Sequence, residues 1–462
     1  MTVKTREYEM VTLQGDMMTP ISIYQAVRGR KKMLFESSAK HEESGRYSFI
    51  ALNPIAELKS KENGTVIFQK GQHSELQRSP IDVLKEMLPL NREDYPFAFF
   101  GGAIGYIGYE TAFYFEKIGN SLPDELDMPN MHMLFYDTFI IYDHLQQTVS
   151  IVAIDLFNSD RSPEDMKASI QEIVTSLQMT TVSQPDEEED TLEFKSSMDE
   201  KSFCDMVKTA QGYIKQGDIF QVVLSQRFSS PFSGNPFSLY RKLRTSNPSP
   251  YMFYMDFGDY IILGTSPESL VKVKNRLVTT NPIAGTRPRG KTAKEDAALA
   301  KGLLEDEKEI AEHRMLVDLG RNDIGKLSKI GSVKLPKYMD IEYYKYVMHI
   351  VSEVTGELKD DIHVLDVLAT CLPAGTVSGA PKIRAMQIIN ELEKMKRGVY
   401  AGAVGYISIS GDMDMALAIR TMVVRNGQAH VQAGAGIVYN SIAESEYEET
   451  LNKAKALLEV RK

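Results

Sequence analysis

Three short turn signals constrain this chain most. Asn63-Gly64 sits between AELKSKE and TVIFQ, Ser410-Gly411-Asp412 follows GYISI, and Asn426-Gly427 parts TMVVR from QAHVQ. Tight turns of this kind join antiparallel neighbours, whereas parallel strands need a long crossover. Met33-Leu34-Phe35 and Tyr47-Ser48-Phe49-Ile50 read as strands, as do FQVVLSQRF and a β-rich stretch over 132–155. Helical patterns cover 198–215, 295–318, 380–394 and 443–460. A mixed α+β fold with large antiparallel sheets and packed helices follows.

Composition removes several classes. At 462 residues, 43% hydrophobic and 25% charged, the chain is neither disordered, collagen-like nor a disulfide scaffold. The net charge of −10 argues against a basic nucleic-acid-binding face. Cys204 and Cys371 form no metal-ligand cluster and no disulfide framework, which fits a reducing, cytoplasmic compartment. The residues MTVKTREYEM carry no apolar core of signal-peptide length, and no apolar run of membrane-spanning length occurs in the sequence. The segment 179–194, with five consecutive acids at 186–190, reads equally as a linker between 1–178 and 195–462 or as a surface loop. The glycines at 101–108 lack dinucleotide-fingerprint spacing and read as tight turns with close backbone packing. The run from Leu372 to Lys382 lacks a P-loop ending, but offers a helix N-terminus to an anion.

Chemistry-bearing residues concentrate on two helical patterns. Glu309 and Glu312 share one helix face, and Glu446, Glu449 and Lys453 share another. Carboxylates brought together repel unless a cation or a shared proton neutralises them. Oxygen-only ligands suit a hard cation, with one or two carboxylates plus substrate oxygens the usual magnesium arrangement. Spacing alone favours two solvated acidic faces. A di-iron centre fits worse, because His313 is misplaced for Glu-x-x-His. His349 lies in an apolar stretch, where a core role is the commoner one. Arg420 reads as part of a strand, where a buried cation needs an anionic partner, either a structural carboxylate or a substrate. Gln432 to Ile437 alternates small residues, allowing close approach of a ligand or a neighbouring strand.

Taken in order, Ser266-Pro267-Glu268-Ser269, Pro282 through Gly290, Glu309 through Asp323, Pro373 through Lys382 and Gln432 through Glu449 resemble the chorismate-utilising enzymes. Three features are similar to the anthranilate synthase large subunits of that family. Ala284 stands where the aminodeoxychorismate branch often carries a nucleophilic lysine. The Gly375-Thr376-Val377-Ser378 run is similar, with Val377 varying from the commonest form. Leu34-Phe35-Glu36-Ser37 resembles the element that binds feedback tryptophan, with Pro250, Tyr251 and Met252 as its counterpart. The absence of tryptophan from the chain suits an enzyme needed during tryptophan starvation.

The resemblance implies antiparallel sheets packed in a sandwich, helices outside, and a substrate cleft between the sheets. It implies an N-terminal domain over 1–178 carrying the tryptophan-sensing element (Leu34, Glu36, Ser37, Pro250, Tyr251 and Met252 as ligands) and a chorismate-binding domain over 195–462. It implies magnesium on Glu312 and Glu449, with Glu309 and Glu446 behind them. Tyr400 and Arg420 would bind the enolpyruvyl carboxylate with the backbone at Gly434, Ala435 and Gly436. Gly285 and Thr286 would contact substrate near the amination end, and Lys453 would add positive charge. Glu268 and Thr376 would flank the departing hydroxyl, and His349 would act as a base. The reaction implied is amination of chorismate with loss of pyruvate to give anthranilate. Neither cysteine sits in a Gly-x-Cys-x-Gly elbow, so ammonia would come from a glutamine amidotransferase subunit in a heterodimer or heterotetramer. Competing readings are an aminodeoxychorismate synthase large subunit and a non-catalytic tryptophan-binding protein. The complete Glu309, Glu312, Glu446 and Glu449 set, with Arg420, argues against the second.

Overall fold

The computed structural model describes residues 6–37, 45–61, 64–91, 93–157, 161–179, 192–344 and 347–458. The acidic run at 186–190 and Asn63 lie outside the described residues. Two antiparallel sheets of twelve strands each form the framework. The first runs from Tyr8–Gln14 through Thr148–Ile154, Thr138–Asp143, Tyr47–Ala51, Met33–Glu36, Tyr251–Asp256, Tyr260–Ser266, Thr421–Arg425 and Gln428–Ile437 to Gln221–Pro231 and Lys195–Ser196. The second runs from Ile283–Pro288 through Val347–Glu357, Leu277–Thr280, Ser269–Lys274, Met413–Leu417, Ala403–Ser408, Gly102–Ile107, Met131–Tyr136 and Ala56–Lys61 to Gly64–Gln69 and Gln72–Leu76. Residues on both sides of 179–194 contribute strands to both sheets, so the sheets run unbroken across that segment.

The turn signals act as expected. Lys61 pairs with Gly64, Ile407 with Met413, and Arg425 with Gln428. The glycines at 101–108 build a strand in the middle of the second sheet. A Cβ at Gly105 would lie 2.0 Å from the His132 carbonyl oxygen, so only glycine fits. Aromatic side chains lock the sheets face to face. Phe49 of the first meets Tyr406 of the second at 5.5 Å, and Phe99 meets Phe139 at 5.1 Å. The helices Pro20–Ala26, Pro163–Met179 and Pro236–Ser246 cover the other face of the first sheet with Ile23, Ile170 and Tyr240.

Two helical expectations change. The pattern at 295–318 is two helices, Ala293–Leu304 and Glu307–Leu327. Asp306 divides them because its carboxylate accepts from the N–H groups of Lys308 and Glu309, at 3.1 and 3.3 Å. The pattern at 380–394 starts later, at Lys382, because Gly379 and Ala380 pair with Val222 and Gln221 as a short strand.

Candidate active site

The chain crosses between the sheets at Glu268 and at Arg420. Glu268 lies between Tyr260–Ser266 of the first sheet and Ser269–Lys274 of the second. Arg420 lies between Met413–Leu417 of the second and Thr421–Arg425 of the first. It is therefore not within a strand, and its φ of 47° is the left-handed bend that makes the crossing. The crossings hold each other. Leu417 N–H donates to the Glu268 carbonyl at 2.9 Å, and Thr265 N–H to the Arg420 carbonyl at 3.2 Å.

Burial pushes the Glu268 carboxyl up to about 7, against the lowering effects of a Thr376 hydrogen bond, Lys453 and Arg420. Thr376 Oγ1, on the turn Gly375–Val377, donates to Glu268 Oε1 at 2.8 Å. Such a carboxyl holds a proton near neutrality and can deliver it. Burial works against the Arg420 charge, and nearby Glu268 works for it. Among the described residues the Arg420 guanidinium has no hydrogen-bond or ion-pair partner. An unpaired, largely desolvated guanidinium is a receptor for a carboxylate.

His349 lies on Val347–Glu357, opposite Thr286 of Ile283–Pro288. A bulge at Gly285, φ 70°, aims the Gly285 carbonyl at the ring. His349 Nδ1 lies 3.1 Å from that oxygen and 3.0 Å from Thr286 Oγ1. A carbonyl only accepts, so Nδ1 carries the hydrogen and Nε2 keeps its lone pair. Burial, aided by Arg420, lowers the imidazole pKa and keeps it neutral.

Gly434 and Gly436 form the third wall. Val223 N–H donates to Ser378 and Ser225 N–H to Glu393, so both turn away from Gln428–Ile437. Their partners Gly436 and Gly434 therefore turn away from them in turn. The peptide groups of these two glycines look onto an edge that Thr421–Arg425 covers only as far as Val431. Ala435, between them, faces Leu224 instead and offers no N–H to that edge. A Cβ at Gly434 would lie 2.7 Å from Tyr400 Oη, and one at Gly436 2.7 Å from Gln221 Nε2. The glycines thus leave space beside Tyr400. Lys453 Nζ donates to the Gly434 carbonyl at 2.9 Å and pairs with Glu449 at 2.7 Å.

The acidic helices Glu307–Leu327 and Ala443–Leu458 bring their charges within range of one another. Burial raises Glu312, a Gln221 hydrogen bond lowers it, and Glu309 and Glu449 raise it further. Glu446 is raised by burial and by Glu449, with Ser441 and Lys453 opposing. Among the described residues, no three His, Cys, Asp or Glu side chains converge as a metal cage. Oxygen donors of like charge gathered on two helices fit a magnesium ion that takes one or two protein carboxylates and completes its shell with water and substrate oxygens. Glu309 also meets Arg287 at 3.4 Å.

A cavity of about 430 Å³ lies between the sheets and is lined by Ser37, Pro250, Tyr251, Phe35 and Asp414. Among the described residues, Ser37 Oγ, buried there, has no hydrogen-bond partner. Leu34 and Met252 do not line it. Strand alternation turns both into the core on the other face; Glu36 borders the cavity but gives its carboxylate to Tyr240 and Arg244, at 2.7 and 2.9 Å. Sequence reading missed Gln221, Arg287 and Tyr344. Gln221 Nε2 reaches Glu312 at 3.4 Å, and the Tyr344 ring meets His349 edge-on at 5.3 Å. Only Arg287 carried a signal, inside the Pro282–Gly290 motif.

Residues 30–459 match the model of the chorismate binding enzyme family. The chain is 45% identical to anthranilate synthase component 1 of Lactococcus lactis, over 97% of this chain and 98% of that one. It superposes on the crystal structure of anthranilate synthase component I from Streptococcus pneumoniae with a TM-score of 0.83 and 48% identity, covering 97% and 98% of the two chains. The menaquinone-specific isochorismate synthase of Escherichia coli shares the fold, with a TM-score of 0.75, 19% identity, and 98% and 95% coverage. The chain belongs to the chorismate binding enzyme family, in its anthranilate synthase component 1 group.

Proposed function

We propose that the chain aminates chorismate with ammonia and eliminates pyruvate to give anthranilate, in the cytoplasm. The observation that carries this reading is the proton-holding Glu268–Thr376 pair beside the unpaired Arg420, both at sheet crossings. Arg420, Tyr400 and the N–H groups of Gly434 and Gly436 take the enolpyruvyl carboxylate. Ammonia adds to the ring carbon next to the carboxylate-bearing carbon. Glu268 gives its proton to the departing hydroxyl, which leaves as water. His349 Nε2 then removes the ring proton, pyruvate departs, and the ring becomes aromatic. Glu312 and Glu449 would hold magnesium, which when bound supplies positive charge for the ring carboxylate. Tryptophan inhibits from the cavity at Ser37, and a glutamine amidotransferase subunit delivers ammonia.

The test is to incubate the purified chain with chorismate, magnesium and ammonium salt at alkaline pH, following anthranilate fluorescence with and without tryptophan. Fluorescence that tryptophan suppresses is expected. Chorismate consumed without anthranilate or pyruvate would redirect the assignment to aminodeoxychorismate formation. Chorismate left untouched, even with amidotransferase and glutamine, would overturn the enzymatic reading.

A further inference from the structure

Between the helix Lys382–Leu392 and the strand Ala403–Ser408 the chain passes through Glu393, Arg397 and Tyr400. Arg397 is 2% exposed. Its Nε and Nη2 donate to Glu393 at 2.8 and 2.6 Å. Nη1 donates to the Val377 carbonyl and Nη2 to the Val223 carbonyl, both at 2.7 Å. Its guanidinium carbon lies 4.8 Å from the Tyr109 ring centroid and 5.6 Å from that of Tyr400. The N–H groups of Arg397 and Gly398 donate to Glu110, at 2.7 and 2.9 Å. Burial opposes the guanidinium charge and Glu393 more than offsets it, so Arg397 stays protonated.

A buried ion pair of this kind is weak as a device for stability, since apolar residues of similar volume often serve as well. What its fork provides is placement. Three of its contacts end on elements bearing groups of the candidate site. Val377 follows Thr376, Val223 stands opposite Gly436, and the Tyr400 ring carries the hydroxyl beside Gly434. Tyr109 and Glu110 come from the first part of the chain, so the frame spans both sides of the 179–194 segment.

We propose that Arg397 is a positioning residue: anchored by Glu393 and Glu110, it sets the Tyr400 hydroxyl, the Gly434–Gly436 edge and the Thr376 turn in one frame for the enolpyruvyl carboxylate. This rests on the reading of Tyr400 as a carboxylate ligand in chorismate amination. The test is a double-mutant cycle between Arg397→Lys and Tyr400→Phe, read as KM for chorismate, KM for ammonia, kcat and Tm. Each single variant is expected to raise KM for chorismate about tenfold with KM for ammonia unchanged, and the double variant no more than about twentyfold, because residues acting through one another are not additive. A product near a hundredfold overturns the proposal. So does an Arg397→Lys enzyme whose only change is a lower Tm. Should that variant not fold, Glu110→Gln keeps the fork and loosens its anchor, with about a threefold rise expected that Tyr400→Phe absorbs. A folded Glu110→Gln enzyme with unchanged KM also overturns it. Wild-type chain that leaves chorismate unconverted refutes the functional reading, and the proposal with it. An active wild type beside unaffected variants refutes the proposal alone.

Discussion

The candidate active site and the cavity at Ser37 share a strand and are built on opposite electrostatic terms. Met413–Leu417 lines the cavity with Asp414 and Ala416, then runs on to the crossing at Arg420. In the cavity, several charged groups have partners. Asp414 accepts from Tyr251 Oη at 3.0 Å and lies 3.4 Å from Lys272, and Arg46 pairs with Asp143 at 2.8 Å. At the crossings, charge is left over: Arg420 has no partner among the described residues, and Glu268 is buried enough to keep its proton. A site that performs chemistry holds groups poised to change protonation, and the fold bears the cost. A site that only binds an effector needs shape and a few hydrogen bonds.

Arg420→Met breaks this contrast most directly. Removing one member of a charge pair that forms on binding costs about 2–5 kcal/mol, so kcat/KM for chorismate should fall by about 30-fold to about 5,000-fold. Stability should not fall, because no protein anion loses a partner. A large drop in Tm would show that Arg420 is structural, and near-wild-type kinetics would remove it from the site.

Glu268→Gln comes next and separates activity from stability. The folded carboxyl titrates near 7, against a usual value of 4.5. The native state therefore holds a proton that the unfolded chain releases between those values, and stability falls as pH climbs through that window. The loss is complete above pH 7 and amounts to about 3 kcal/mol. Glutamine does not ionise, so the Tm advantage of the variant should grow from pH 5 to pH 8. Its kcat should drop by about 10²–10³-fold, and the alkaline limb near pH 7 should vanish once rates are expressed per neutral ammonia. A variant less stable than wild type at pH 8 would contradict the burial argument. His349→Met should spare the first step and slow the second by about 10²-fold, so that an amino intermediate accumulates. Chromatography of quenched reactions checks this, and wild-type rates in both steps would remove the base role.

The antiparallel sheets were legible because Asn-Gly and Ser-Gly-Asp turns act within a few residues. The meeting of Glu268 and Arg420 was not, because it depends on where two distant stretches cross between sheets. The Ser266–Ser269 motif drew attention to Glu268 and the apolar run before Arg420 drew attention to that residue, but nothing in the sequence joined the two. Arg420 read as a strand residue because the apolar run Ala416 to Ile419 conceals the left-handed bend that ends it. The division at Asp306 was readable in principle: Asp306 followed by Glu309 has the spacing of a capping signal, masked by continuous helix-forming residues on either side. Leu34 and Met252 were placed in the cavity because a motif was carried over whole. The two-residue period of a strand sends alternate members to opposite faces. Gln221 and Tyr344 gave no signal, since their roles come from packing against Glu312 and His349.

The smallest expected effect sharpens the comparison from the cavity side. Among the described residues Ser37 Oγ is unsatisfied there, and a hydrogen bond to a ligand is worth about 1 kcal/mol net. Ser37→Ala should therefore raise the half-inhibiting tryptophan concentration about fivefold. Uninhibited turnover should stay unchanged, because the residue touches no group at the crossings. Stability should hold or rise slightly, since an unpaired buried hydroxyl is lost. Leu34→Ala, on the opposite face of the strand, should do the reverse: lose about 2–5 kcal/mol from the core while leaving the inhibition curve of the folded enzyme in place. An unmoved inhibition curve in Ser37→Ala, or a shifted one in Leu34→Ala, would place the effector on the other face of the strand.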